Sequence, residues 1–400
     1  MSNSRFSIFR WIKPNRYALG IEITDYAVKL AEVRIPARGQ PELTHSAVER
    51  LPAGAVTDGR IRERDEVILA LRKMISRRQL RTKHAHMILP GTLVTVRFLK
   101  MPDLKEADLR KVIEFEIRHN MHLPFDQPVF DFVKLSGSDR PSRIKRASKR
   151  KGKKPDSTAP AMPGMAEAAA SLEPAFGAGT LFADNENRPG EEDLPQCDVL
   201  LAAAPREQAI EYAEIVREAG LKIRSLEIKP FSLRRLLAGM GDNAAEGAVI
   251  VADVGENAAD LSIFYGHALK ITRNIPVNFG AREESGGEIA PFSFQANASF
   301  PASDPDYGFR AAAFELADEI ERLMNFYRYS LNHRDHDFAC VLLVGDAPRL
   351  AEIGSLLSER LTPEVRLIEP RAVSSPLERY ERLFPALAVP IGLALREKFA

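Results

Sequence analysis

Residues 248–276 constrain the fold more than any other stretch, because their pattern predicts three short strands joined by two tight turns. Residues 248–252 form an apolar run, Asp253-Val254-Gly255 interrupts it, and apolar side chains then alternate with small or polar ones. A buried strand that ends in Asp-x-Gly suits an anion or metal site, since the glycine lets backbone amides approach an anion and the aspartate can hold a metal through water. A plain β-meander with a glycine turn explains the same pattern, so two interpretations stand at this point.

A second strand-turn-strand pattern near the amino terminus favours the anion site. Residues 18–24 (ALGIEIT) lead into residues 27–33 (AVKLAEV), so that a hairpin opens each half of the chain. The two hairpins resemble the two phosphate-binding loops of the actin-like ATPase superfamily. Within it, the chain resembles the PilM family of type IV pilus assembly proteins through GIEITDYAVKLAEV, ERLPAGAVTDGRI, HMILPGTLVTVRFLKMP, EFEIRHNMHLPFD, ADVGENAADLSIFYGHALKITRNIP, EIERLMNFYR and ALAVPIGLALRE.

The resemblance covers nearly the whole chain and implies an α/β fold of the actin-like, two-lobed FtsA/PilM type. We expect lobe one at residues 16–245 and lobe two at residues 246–400. We also expect a small α/β subdomain, inserted into lobe one at about residues 83–222.

Local patterns predict several helices within this framework. Apolar side chains at helical spacing predict helices at about residues 63–78 and 309–331. Asp103, with Glu106 three residues later, predicts the N-cap of a further helix.

Composition places the chain among ordinary globular proteins of a reducing compartment. Its 400 residues suffice for about two or three domains, and a formal net charge of +1 provides no field that would attract nucleic acid. Two cysteines, Cys197 and Cys340, are too few for a disulfide framework. No apolar run approaches the ~18–20 residues of a membrane span, and no signal peptide is visible. We therefore expect a cytoplasmic protein that binds no nucleic acid.

Two segments differ from the rest in composition. Residues 1–15 interleave basic and large aromatic side chains, which suits an anionic membrane surface; a frayed tail or an arm packed on its own domain is the alternative. Residues 136–196 have a basic run at one end and acids at the other, with proline, alanine and glycine between them. Such a composition predicts a disordered insertion.

The first hairpin departs from the family pattern at the loop that would face phosphate. The resemblance places Glu22, Thr24, Asp25 and Lys29 at this nucleotide loop, but Glu-Ile-Thr-Asp-Tyr stands here where the family has Asp-Ile-Gly-Ser-Ser. A β-branched Thr24 tolerates a positive φ poorly, and Asp25 would set a negative charge beside a polyanion. Glu22 could hold magnesium only from a different position.

The second nucleotide loop is half kept. The resemblance places Asp253, Gly255 and Asn257 there, and the first two match the family pattern. The family's Thr-Thr, however, is Ala258-Ala259 in this chain, so two more hydroxyl donors are lost.

The loop that would bind the nucleoside is altered as well. Gly345 is followed by Asp346-Ala347-Pro348 where the family has Gly-Gly-Gly-Ala, so that an amide donor is lost at Pro348. Residues 279–308 lack the charged helical lid of relatives. We therefore expect no catalytic residues, no metal ligands and no cofactor, or at most weak binding of ATP with Mg²⁺.

Three functions fit these observations. The leading one is a scaffold or adaptor of type IV pilus, or related competence pilus, assembly whose nucleotide loops are degenerate. The alternatives are a working actin-like ATPase or phosphotransferase, and a cytoplasmic platform protein of a type II secretion system. The altered loops argue against the ATPase, because catalysis needs donors aimed at developing phosphate charge.

The resemblance also implies a protein partner. PilM relatives hold a short N-terminal peptide of the membrane protein PilN in a groove of lobe one, and an extended peptide of this kind can add to a sheet edge. Leu123-Pro124-Phe125 is our candidate for part of the groove rim; turning a helix into the next strand is its alternative role. Other pilus platform proteins, and the inner face of the cell membrane at which the protein would be peripheral, are further expected contacts.

Overall fold

The computed structural model describes residues 17–77, 80–135, 195–240, 247–266, 268–279, 306–376 and 380–399. The predicted arm at residues 1–15 lies outside these ranges, as does nearly all of the predicted insertion at 136–196 and of the predicted lid at 279–308. No helix in the described ranges is both long and apolar enough to cross a membrane.

Strands and helices alternate irregularly in the first half of the chain. Its elements are β1 (Tyr17–Ile23), β2 (Ala27–Arg34), β3 (Glu42–Arg50), β4 (Val56–Thr57), β5 (Arg60–Ile61), α1 (Arg64–Ser76), β6 (His84–Ile88), a 3₁₀ turn (Gly91–Leu93), β7 (Thr95–Pro102), α2 (Glu106–His119), β8 (Pro128–Lys134), β9 (Gln196–Pro205), α3 (Arg206–Glu218), β10 (Lys222–Glu227) and α4 (Lys229–Gly239).

The second half opens with the strands on which the sequence analysis began. Its elements are β11 (Ala248–Val254), β12 (Ala258–Tyr265), β13 (Ala268–Pro276), α5 (Tyr307–Asn325), a π-helical turn (Phe326–Ser330), β14 (Phe338–Gly345), α6 (Leu350–Ser358), β15 (Glu364–Leu367), α7 (Tyr380–Ala394) and α8 (Arg396–Phe399).

The two halves contain five-stranded sheets of the same topology. The strand order is β3-β2-β1-β6-β10 in the first sheet and β13-β12-β11-β14-β15 in the second. In each sheet the first three strands are antiparallel and the last two run parallel to the central strand. The prediction of two related five-stranded cores is therefore confirmed, and the fold is α/β, actin-like and two-lobed.

Each sheet has its own apolar core, built with helices from its own half. In the first core, α1 contributes Val67 and Leu71, and α3 contributes Ile215 and Val216. In the second core, the helices α5 and α6 pack their apolar side chains against β11, β12 and β14. Strand β11 is buried along its whole length, as expected of a strand covered on both faces.

Helix α7 packs against strands of both sheets. It contacts β1, β2 and β14 as well as α4, and most of its side chains are buried. A Cβ at Gly20 in β1 would overlap with the carbonyl oxygen of Pro390 in α7 and would lie 2.9 Å from Leu393 Cβ. The helix can approach the strand this closely only because Gly20 has no side chain.

Among the described residues, a second compact unit comprises residues 96–123, 130–135 and 195–202. Its described part contains α2 and most of the three-stranded sheet β7-β9-β8, around a core that includes Leu109, Ile113 and Val199. The unit is narrower than the subdomain predicted at residues 83–222. The difference arises because β6 and β10 pair with each other in the first five-stranded sheet, and α3 packs in that sheet's core.

Two local predictions need correction. Asp103 is not an N-cap: α2 has Lys105 at that position, with no side-chain cap, and the Asp103 carboxylate instead pairs with Lys134. The helix predicted at residues 309–331 changes at Phe326 into a π-helical turn.

We predict that Gly20→Ala destabilises the protein, because the added methyl group must displace α7 or β1. Overpacking of this kind costs about 1–3 kcal/mol, occasionally more, and the free energy of unfolding can be measured with denaturant. Gly308→Ala is the matched control, since a Cβ at that position in α5 meets no atom within 4 Å and alanine favours helix by up to ~1 kcal/mol. Equal stability of the two variants would contradict the close packing of α7 on β1.

Candidate functional site

The candidate site is a small cavity between the two sheets, in the larger compact unit. Its volume is about 100 Å³. It is lined by Glu22, Ile23, Thr24, Asp25, Tyr26, Lys29, Asp58, Gly59, Ile88, Pro90, Gly91, Thr92, Lys229, Asp253, Gly255, Glu256, Asn257, Ala258, Asp260, Asn274 and Asp346. All predicted nucleotide-loop residues except Gly345 therefore line one cavity, and Gly345 directly precedes Asp346.

The two sheets contribute charged pairs from equivalent positions. Glu22, the penultimate residue of β1, pairs across the hairpin with Lys29. Asp253, the penultimate residue of β11, pairs across its own hairpin with Asp260. The first pair is of opposite charge, whereas the second brings together two carboxylates, which destabilise a sheet when they lie directly opposite each other.

Lys229, the first residue of α4, lies between these carboxylates. Its Nζ is 2.6 Å from Asp253 Oδ2, 2.7 Å from Asp260 Oδ2 and 3.4 Å from Glu22 Oε1. The Lys229 side chain is 14% exposed. One ammonium group thus compensates the like-charged pair of the second sheet and reaches the acid of the first.

Lys29 makes a second ion-pair link across the cavity. Its Nζ lies 3.4 Å from Glu22 Oε2 and 3.1 Å from Asp346 Oδ2, in the loop after β14. Glu22 and Lys29 are each only 2% exposed. Among the described residues neither oxygen of Glu22 has a hydrogen-bond partner, so the two ammonium groups alone compensate this carboxylate.

Burial and charge act against each other at these three groups. Burial raises the pKa of Glu22, although Lys29 and Lys229 act in the opposite direction. Burial alone would lower the pKa of each lysine. The neighbouring carboxylates outweigh it, chiefly Glu22 and Asp346 at Lys29 and Asp253 and Asp260 at Lys229, so both lysine pKa values are raised. Both ammonium groups therefore stay charged at neutral pH.

In the first loop, the residues that depart from the family pattern make hydrogen bonds that stabilise the loop and a neighbouring turn. The Thr24 hydroxyl accepts a hydrogen bond from the Ala27 amide at 3.1 Å, and Thr24 is not among the described residues with positive φ. The strain expected for a β-branched residue is therefore absent. The Asp25 carboxylate accepts hydrogen bonds from the amides of Asp58 (2.8 Å) and Gly59 (3.0 Å) in the β4–β5 turn.

The second loop and the loop after β14 lie against each other. Gly345 has a φ of +109°, and a Cβ there would overlap with the carbonyl oxygen of Val254. The Ala347 amide donates to the same oxygen at 3.0 Å. The positive φ and the lack of space for a Cβ each require a glycine at position 345, whether or not a nucleotide is bound.

One wall of the cavity is closed by the turn that follows β6. A Cβ at Gly91 would overlap with Asp260 Oδ1, so the first lobe approaches the second directly here. The Asn274 amide group donates to the same oxygen at 2.8 Å. Both oxygens of Asp260 are thus engaged, one with Asn274 and the other with Lys229.

The sequence analysis located this cavity but missed Lys229. One signal was present: a lysine at the first position of a helix, where the dipole disfavours a cation by about 0.3–1 kcal/mol. The first turn of α4 contains no acidic residue that would offset this. A lysine in that position indicates a specific carboxylate partner elsewhere in the fold.

The candidate groove residues lie in the bend after α2. Leu123 is partly buried against the core of the smaller unit, Phe125 is half-buried and Pro124 is exposed. The smaller unit includes Leu123, and the larger includes the other two. None of the three lines the cavity, and their role as a groove rim stays a prediction.

Comparison with known proteins agrees with this fold. The model of the family described as type IV pilus assembly protein PilM matches residues 20–148. The structure of a PilM–PilN type IV pilus biogenesis complex aligns with 96% of this chain and 99% of that chain, at 20% identity and a TM-score of 0.69. The chain therefore has the fold of this structure, and it is similar to the PilM family over residues 20–148.

Other structures align with this chain at lower TM-scores. The ethanolamine utilization protein EutJ from Carboxydothermus hydrogenoformans covers 96% of this chain with 90% of its own, at 13% identity and a TM-score of 0.45. An actin-like ATPase fold protein of unknown function from Bacteroides thetaiotaomicron covers 92% with 96% of its own, at 9% identity and a TM-score of 0.39. No curated protein sequence matches the chain.

The actin-like ATPase superfamily implies a nucleotide with a divalent cation in this cleft, and the arrangement described above does not fit that group. The carboxylates that would face the cation are already paired with ammonium groups. No group of three or more His, Cys, Asp or Glu within the described ranges is arranged to hold a metal ion. The cavity, at about 100 Å³, is also smaller than the ~300–1,000 Å³ of ordinary small-molecule pockets.

We predict that Asp25→Ala destabilises the protein, because two backbone donors of the β4–β5 turn lose their acceptor. A loss of about 1–2 kcal/mol in the free energy of unfolding is expected, measured with denaturant. Asp335→Ala is the control, since Asp335 is an exposed acid whose removal should change stability by less than ~0.5 kcal/mol. If the two variants lose equally little, the structural role of Asp25 is wrong.

Proposed function

We propose that this protein is an adaptor of type IV pilus assembly that binds the N-terminal cytoplasmic peptide of a PilN-like membrane protein and does not turn over ATP. The observation that carries the proposal is the end-to-end likeness to the PilM of a PilM–PilN complex, over 96% of this chain and 99% of that one. The PilM family match over residues 20–148 supports the same assignment.

The charges in the cleft support the second half of the proposal. Seven acidic side chains and only two lysines line the cavity, and both lysines are already paired with acids. A triphosphate entering the cavity would meet this negative charge and would have to displace the ion pairs. Breaking a buried pair by removing one partner costs about 3–5 kcal/mol, and nucleotide binding would have to offset this cost.

The proposed location is the cytoplasmic face of the inner membrane, where the partner's tail would be found. Within this proposal the protein is peripheral and is held by the partner. Other platform proteins of the pilus machinery would then be neighbours in the same assembly.

We predict no measurable heat when the full chain is titrated with Mg-ATP up to millimolar concentration, and no phosphate release above that of nucleotide alone. The reason is the ion-paired, negatively charged cavity. A micromolar dissociation constant for Mg-ATP would contradict the proposal. Gly255→Asp would then show whether the heat arises in the cleft, since Gly255 lines the cavity.

We predict that a synthetic peptide of the PilN-like tail binds the full chain, and that Phe125→Asp weakens this binding at least tenfold without changing the melting temperature. A charge at a half-buried apolar rim would disfavour an apolar peptide. Phe115→Asp is the matched control, because Phe115 is an exposed aromatic residue on α2. Binding can be measured by fluorescence anisotropy.

Failure of the peptide to bind up to millimolar concentration would contradict the adaptor function in this form. Equal weakening by the two variants would refute the placement of the groove at Phe125. Binding to lobe two, mapped by hydrogen exchange, would contradict both.

A further inference from the structure

The like-charged pair Asp253 and Asp260 requires a cation. The two residues are directly opposite on β11 and β12, and both are nearly buried, with side chains 6% and 13% exposed. Two carboxylates that are both shielded from water repel each other strongly unless a positive charge lies between them. A positive charge placed between them offsets this repulsion.

Lys229 supplies it from a position between the two sheets. Three carboxylates, one from the first sheet and two from the second, surround its Nζ at 2.6, 2.7 and 3.4 Å. An ammonium group has three N–H donors, and the two shorter distances are those of charge-assisted hydrogen bonds to Asp253 and Asp260. Glu22, at 3.4 Å, is compensated by the charge alone.

The position of Lys229 opposes the helix dipole, which indicates that its contacts outweigh that effect. It starts α4 and is followed by Pro230, so its ammonium lies near the positive end of the helix dipole. Helix α4 packs in turn on α7, which contacts strands of both sheets. The lysine is thus presented by a rigid element rather than by a loop.

We propose that the Lys229 ammonium is a built-in substitute for a divalent cation, which joins Glu22 of the first sheet to Asp253 and Asp260 of the second and keeps the cleft closed without a ligand. The inference rests on the proposed lack of nucleotide turnover. It adds that the cleft still depends on a cation, and that the chain provides this cation itself. Removing the ammonium should therefore create a cation site that the natural protein does not have.

The test is the melting temperature of the full chain in EDTA and in millimolar Ca²⁺, without nucleotide. Lys229→Ala leaves four carboxylates against one ammonium and opens space between them. We expect this variant to melt roughly 5–10 °C below the natural protein in EDTA and to recover at least half of that loss in Ca²⁺, with a smaller recovery in Mg²⁺. The natural protein should melt at the same temperature in both solutions.

Lys73→Ala is the matched control, because Lys73 is an exposed lysine that pairs with Glu49 on the surface. It should lose little stability and gain none from Ca²⁺. The proposal is overturned if Lys229→Ala responds to Ca²⁺ no more than Lys73→Ala does. It is also overturned if the natural protein gains as much from Ca²⁺ as Lys229→Ala does.

A second pair of variants decides the matter should Lys229→Ala fail to fold. Lys229→Met keeps the bulk of the side chain and removes its charge, and adding Asp260→Asn removes one of the two opposed carboxylates. We expect the double variant to regain at least half of the melting temperature lost by Lys229→Met; no gain overturns the proposal. Because no nucleotide is present, these results are independent of the Mg-ATP titration, and the two proposals can fail separately.

Discussion

Seven acidic side chains and two lysines line one small cleft, and the ion pairs of the two lysines link the two lobes. Lys29 reaches Asp346 of the second lobe, and Lys229 reaches acids of both lobes. An exposed ion pair contributes ~0–1 kcal/mol, but leaving one partner of a buried pair alone costs about 3–5 kcal/mol. Within the cleft, each of these buried charges therefore depends on its partners for compensation.

Much of the fold could be predicted because the signals that specify hairpins are local. Glu22 and Lys29 are seven residues apart, as are Asp253 and Asp260, and each pair flanks a tight turn between alternating apolar residues. The boundaries of the inserted subdomain, by contrast, are not specified by local signals. The strands β6 and β10 pair in parallel across a long stretch of sequence, and no turn or periodic pattern announces such a pairing.

The candidate site could be located from sequence, but its chemistry could not. From the sequence, Asp25 was expected to place a negative charge beside a bound phosphate, whereas its carboxylate accepts a hydrogen bond from a turn 33 residues away. Asp103 matched a helix-cap pattern, yet its partner is Lys134, on a strand that follows the helix. In each case the sequence pattern was compatible with several hydrogen-bond or ion-pair partners for the short acidic side chain. Tertiary packing determined which partner it contacts. Lys229 shows the same limitation, since its carboxylates come from two different sheets.

A cleft closed by the protein's own charges behaves differently from one closed by a ligand. A ligand shifts a conformational equilibrium only by its differential affinity for the two states, so a ligand-closed cleft follows ligand concentration. The ion pairs of Lys29 and Lys229 are present at a fixed effective concentration, because both lysines belong to the folded chain. If the protein is the adaptor that we propose, the relative position of the lobes, and any surface that depends on it, is set by the sequence rather than by the nucleotide supply of the cell.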